Sequence, residues 1–177
     1  LSNSDALVYY TVLQRLRRKN WDIEAILGRS HFTIQDITFN CIMIRANDHL
    51  KKIAKTIGHE LPEELVENFK HSKDALDKLW DGYYSQYFSR AFVTHKLIKR
   101  PSIGTLMPLY AGTISKERAE SLVAMLHSKK LFDSTYPVAS VPLDDEYYKE
   151  LGYWQGPTWI NTNWLIADGL DRDGFPK

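Results

Sequence analysis

Several things are scarce in this chain of 177 residues, and each scarcity excludes something. There is one cysteine, Cys41, so no internal disulfide can form. No apolar run approaches the eighteen residues a transmembrane helix needs. Neither sign of charge dominates: 23 Lys and Arg stand against 22 Asp and Glu, leaving a net charge of +1. That balance does not suit a nucleic-acid or membrane-surface binder. The GxGxxG, P-loop, GxSxG and CxxC motifs are all absent. The six histidines, His31, His49, His59, His71, His95 and His127, include no pair spaced i, i+4 as metal ligands on a helix would be, and no metal or cofactor is expected. No signal peptide, low-complexity segment or convincing repeat is visible within these residues. The chain opens on Leu1 rather than Met, which suggests processing or truncation, and a cytoplasmic location is the expectation.

What is present is hydrophobic and helical. A hydrophobic fraction of 44% with 12% aromatics marks a folded chain with a real core, of a length normal for one domain. Between Ser4 and Lys19, Leu7, Tyr10, Leu13 and Leu16 fall near one helical face. The run Arg15 to Lys19 reads as the solvated end of that helix rather than a nucleic-acid site. From Asp36 to Ile57 the pattern Ile42, Ala46, Leu50, Ile53, Ala54, Ile57 predicts a long helix. Asp36 is its N-cap and Gly58 its C′ stop. Its first half is apolar nearly all round, so it is expected to be an inner, fully buried helix with Cys41 inside.

Leu61-Pro62-Glu63-Glu64 opens a third helix, with Pro at N1, bearing Leu65, Phe69, Leu76, Leu79 and Trp80. Ser115-Lys116-Glu117 opens a fourth, with Ala119, Leu122, Val123 and Leu126 inward. Thr158 to Asp171 reads as a further helix. Five or six helices are expected in all. Aromatic residues from Gly82 to Arg100 follow no helical period, so a small β-hairpin or irregular loop is expected near 83–100. Tyr136 to Gly152 is a Pro- and Asp-rich loop.

The chemistry concentrates in Tyr153-Trp154-Gln155-Gly156-Pro157-Thr158-Trp159-Ile160-Asn161-Thr162-Asn163-Trp164. Aromatic faces stack on the C–H faces of sugar rings, and planar amides hydrogen-bond adjacent hydroxyls. The competing reading is that these aromatics are core. Asn161 and Asn163 are expected to bond loop backbone rather than a ligand. Trp159 and Trp164 are five residues apart and so on different helix faces, with Trp164 expected in the core and Trp159 nearer a pocket. Asp144, Asp145 and Glu146 could raise one another's pKa, but read first as a solvated loop or helix start. Asp168, Asp171 and Asp173 fail the EF-hand spacing.

Residues Tyr153 to Gly169 resemble the YWRGP-W-N-NW-GL motif of glycoside hydrolase family 63. Weaker similarities lie upstream in the family's order: Phe32 to Leu50, Leu79-Trp80-Asp81 with Tyr84, and Tyr136 to Ser140 then Asp145 to Tyr147. Gln155 departs from the family's usual Arg. The resemblance implies an all-α fold, part of an (α/α)6 toroid, with residues 1–177 a single and incomplete central to C-terminal segment. It implies an inverting glycosidase acting on α-glucosides or α-mannosides, with Tyr153, Trp154, Gln155 and Trp159 as sugar-contact residues. Trp154 would be the stacking platform, Tyr153 a hydroxyl donor or ring wall, and Gln155 an amide donor. The family's general acid is expected upstream of Leu1 and its base downstream of Lys177, so no catalytic residue carries over. A carbohydrate is the expected partner, together with self-association or a partner chain completing the barrel. The rival reading is a non-catalytic helical module for carbohydrate binding or protein interaction.

Overall fold

The computed structural model describes residues 3–28 and 33–175, so His31 and Phe32 lie outside the described residues. The helices are α1 (Asn3–Arg18), α2 (Ile23–Leu27), α3 (Ile37–Thr56), α4 (Glu63–Leu76), α5 (Pro108–Ala111), α6 (Lys116–Leu126) and α7 (Ile160–Arg172). Four two-residue strands accompany them: β1 (Ile34–Gln35), β2 (Trp80–Asp81), β3 (Gln86–Tyr87) and β4 (Arg90–Ala91). Strands β1 and β4 pair antiparallel, as do β2 and β3. The ribbon expected near 83–100 therefore begins earlier, at Trp80. No described helix is long and apolar enough to cross a membrane.

Local chemistry sets the helix starts. The Asp36 carboxylate accepts from the Phe39 amide at 3.0 Å, and Ser115 caps α6 through the Arg118 amide. Gly58 takes φ 66° just past α3, as a C′ stop requires. Pro62 sits at the N-cap of α4, one position earlier than expected.

A row of helices forms the inner layer. Segment Ile103–Leu106 is a 3₁₀ turn that runs through Met107 into α5, and it is almost wholly buried. It lies between α3 and α7. Gly104 abuts Ile37 and Thr38 at the start of α3. At the other end, Gly169 of α7 lies against the backbone of Leu109, where a Cβ would come within 2.5 Å of the carbonyl oxygen. The Arg172 guanidinium donates to the Leu109 and Tyr110 carbonyls at 2.7 and 2.9 Å, closing the C-terminus of α5. Arg45 and Asp168, each eight residues into its helix (45 − 37 and 168 − 160), approach to 3.9 Å across Tyr110. The inner helices therefore run parallel, with their N-termini at one end. Helices α4 and α6 lie behind them, α4 against α3 and α6 against α5. Connections alternate accordingly: short from inner to outer helix, long (77–102 and 127–159) from outer to inner.

The core joins Ile37, Cys41 and Ile44 of α3 to Leu76, Leu106, Met107, Leu109, Leu122, Phe132 and Ile166. Burial of Cys41 is complete and pushes its thiol pKa far up.

Three expectations are corrected here. Helix α3 is not buried all round: its packed stripe is Ile37, Cys41, Ile44, while Phe39, Ile42, Met43, Leu50 and Ile53 are exposed. Ala46 is exposed too, so Ala54 alone among the predicted face residues is buried. Leu7, Tyr10 and Leu13 of α1 are likewise exposed. Apolar periodicity marks an amphipathic helix, but burial also needs an opposing surface, and these faces meet none among the described residues. Finally, five long helices are joined by two short ones, α2 and α5, at segments without a periodic signal.

Candidate functional site

The N-termini of α3, the Ile103 segment and α7 gather at one end, stitched by loop hydrogen bonds. The Ile37 amide donates to Ser89 Oγ, the Ile103 amide to the Ser140 carbonyl, and the Gly156 amide to Ser140 Oγ. A bridge between Ala139 and Thr158 continues the seam. Both long connections therefore end on one rim.

On that rim the loop before α7 presents an aromatic cluster. Tyr153 adopts φ 38°, an uncommon left-handed conformation for a residue with a side chain. Its carbonyl accepts from Trp159 Nε1 at 3.0 Å. Trp154 and Trp159 stack with centroids 4.6 Å apart and planes 20° from parallel. The Tyr153 ring meets Trp159 edge-on at 5.0 Å and Trp154 at 6.1 Å. Tyr153 is 69% exposed and Trp154 41%, while Trp159 is half-buried. One indole is thus fixed from behind and the other is offered to solvent. Gln155 is exposed beside them, its backbone closing the turn by donating to Gly152 and accepting from Lys149. All four residues expected to contact sugar stand together.

Asn163 holds this loop from the helix side. Its Nδ2 donates to the Val138 and Trp159 carbonyls at 3.2 and 2.9 Å, and its Oδ1 accepts from the Val138 amide. Asn161 accepts from the Thr162 amide. Both asparagines serve backbone, as expected. Trp164 does not enter the core: it is 65% exposed, one turn on from exposed Ile160. The side of α7 that is packed carries Thr162, Ile166 and Gly169 instead.

The acidic trio is a loop held by Arg100, a residue that sequence reasoning passed over. Arg100 reaches Glu146 at 3.0 Å and Asp145 at 3.6 Å, and lies 4.5 Å from the Tyr147 ring centroid. Its neighbour Lys99 pairs with Asp81 at 2.9 Å and covers the Tyr84 ring. The Lys99 hydrogen bond, aided by donation from the Tyr83 and Tyr84 amides, holds the Asp81 carboxyl below the usual carboxylate range. Arg100 lies 45 residues from Asp145 (145 − 100) and 46 from Glu146, so no local pattern announces the contact. Behind them Arg118 donates to Tyr87 and Asp77 and lies over Trp80, fastening the ribbon to α6. Asp173 is engaged by Arg172. Among the described residues no group of three or more His, Cys, Asp or Glu could hold a metal ion.

Comparisons with known proteins agree with this geometry. A model of the mannosylglycerate hydrolase MGH1-like glycoside hydrolase domain matches residues 4–175. The mannosylglycerate hydrolase of Thermus thermophilus is 34% identical over 94% of this chain and 40% of its own length. The mannosylglycerate hydrolase MGH2 of Selaginella moellendorffii is 30% identical over 94% of this chain and 34% of its own. The crystal structure of a family 63 mannosylglycerate hydrolase from Thermus thermophilus in complex with glucose superposes with a TM-score of 0.90. It is 31% identical and covers 99% of this chain and 42% of that one. The helical array is thus part of an (α/α)6 toroid. The chain spans about two fifths of the length of the Thermus relatives.

Proposed function

Since the chain belongs to the mannosylglycerate hydrolase MGH1-like glycoside hydrolase family, we propose that it forms one wall of the sugar site in a hydrolase of α-glucosides or α-mannosides. The cluster of exposed Tyr153 and Trp154 on half-buried Trp159, at the shared rim, carries this reading. A pyranose ring stacks on the free side of Trp154, with the Tyr153 hydroxyl and the Gln155 carboxamide meeting its hydroxyls. Trp159 acts by bracing Trp154 from behind. The reaction is inversion by a single water. That geometry needs two carboxyl groups about 6.5–9.5 Å apart, one protonating the leaving oxygen and one activating the water.

No carboxylate of this chain is assigned to either role. Asp36 caps α3, Asp81 is held by Lys99, and Asp145 and Glu146 are held by Arg100. The open apolar faces of α1 and α3 are surfaces for further helices of the toroid, from the same polypeptide or a partner chain.

The test is hydrolysis of a panel of α-glucosides and α-mannosides, including mannosylglycerate and glucosylglycerate. It is run on this chain and on any longer form from the same gene, each with its Trp154→Ala variant. Turnover with inversion, sharply reduced by Trp154→Ala, is expected wherever the toroid is complete. Full turnover in that variant would remove Trp154 from the site.

A further inference from the structure

The loop that carries the aromatic cluster has almost nothing of its own to hold it. From Asp144 to Gln155 no residue is buried, and Leu151 is 95% exposed. Segments with few buried apolar contacts open at low free energy. Ahead of the aromatic turn, which Trp159 and Asn163 fasten, a short chain of backbone bonds shapes the loop. The Tyr148 amide donates to Asp145, Lys149 to Gln155, Gly152 to Lys149 and Gln155 to Gly152. The first bond is joined to the others through the Tyr148–Lys149 peptide, so the series leads from Asp145 to the turn that sets Tyr153 and Trp154.

Arg100 grips the first link. Its base is rigid: the Arg100 and Ile98 amides donate to Ile98 and Ser89, and Ser102 starts the buried inner segment two residues later. Its planar guanidinium engages two adjacent carboxylates and lies against the Tyr147 ring, a combination an ammonium cannot reproduce. Lys99 takes the other side, fixing the hairpin turn through Asp81. Consecutive cations thus tie both long rim connections to one strut.

We propose that Arg100 is a positioning residue for the sugar site, holding the loop 145–155 so that Trp154 and Gln155 are presented in register on the rim. This rests on the sugar-binding reading above. Arg100 acts through the loop and does not itself touch the sugar. Because the grip is ionic and half-exposed, the order of the loop weakens as salt rises.

The experiment uses the full-length protein with Arg100→Ala, Arg100→Lys and the double variant Asp145→Asn, Glu146→Gln. Hydrogen exchange is read at the Lys149, Gly152 and Gln155 amides, and D-glucose binding by calorimetry. Protection should fall roughly three- to tenfold in Arg100→Ala and in the double variant, with Arg100→Lys between them and the α6 and α7 amides unmoved. Glucose affinity should fall in parallel. About 0.5 M salt should loosen the same amides in the parent but not in Arg100→Ala. Equal exchange in parent and Arg100→Ala overturns the grip. Loosened amides with unchanged glucose affinity overturn the sugar assignment of the loop instead.

Discussion

Replacing Gly169 by Ala tests the close contact on which the inner layer is built. A Cβ there would lie 2.5 Å from the Leu109 carbonyl oxygen, 2.6 Å from its carbon and 2.8 Å from the Tyr110 nitrogen. Ordinary contact begins near 3.4 Å, so α7 and α5 would have to separate by about 0.9 Å (3.4 − 2.5). All three obstructing atoms are backbone, so no rotamer change relieves the overlap. Overpacking of this kind costs at most about 3 kcal/mol in the usual range. Alanine returns about 1 kcal/mol through helix propensity. The net loss is then up to about 2 kcal/mol, which lowers Tm by up to roughly 4–8 °C in a chain of this size. Thermal and urea unfolding followed by circular dichroism measure it. Gly28→Ala is the control, because its nearest contact is 3.6 Å and its φ of −72° suits any residue. It should leave stability unchanged or raise it by about 0.4–1 kcal/mol. A Gly169→Ala protein that melts at or above the parent would refute the close-packing argument. Equal losses in both variants would refute it as well, since the contact could not be the cause.

Three further outcomes follow from the same reasoning. Asn163→Ala should cost about 1–3 kcal/mol in urea unfolding, because it leaves the Val138 amide and carbonyl without their side-chain partner, while the Trp159 carbonyl keeps the residue-163 amide and Thr162 Oγ1. Asp36→Ala should cost about 1 kcal/mol and fray the first turn of α3, seen as faster exchange at the Phe39 amide. Cys41 should resist thiol reagents in the native protein. Its raised pKa keeps the folded state protonated where the unfolded thiol ionises, so its contribution lowers stability as pH climbs above about 8.5. Cys41→Ala should remove that alkaline loss, at the expense of a cavity, in a pH series of unfolding curves.

Much of this architecture is written locally. The starts of α3 and α6 were legible because Asp36 and Ser115 act on amides three residues away. The aromatic cluster was legible because its rings lie within seven consecutive residues. What escaped depends on distant chain. The Ile103–Ala111 stretch is apolar but for Thr105, interrupted by Gly104 and Pro108, and too short to show a period, yet it is the centre of the inner row. Exposure of Trp164 and of the second face of α3 could not be read from pattern, since pattern records apolar surface and not what lies opposite it. Arg100 and Lys99 look like ordinary surface cations until the fold brings acids to them.

The stacked indoles of Trp154 and Trp159 also give the rim an optical signature. Two indole chromophores 4.6 Å apart, with planes 20° from parallel, couple their strong far-ultraviolet transitions, and a coupled pair in a chiral frame yields a bisignate band in far-ultraviolet circular dichroism. The sign and size of that band depend on how the two rings are turned relative to one another, which a sugar ring sliding against Trp154 would alter. The molecule thus carries its own label at the proposed site, readable without dye or tag.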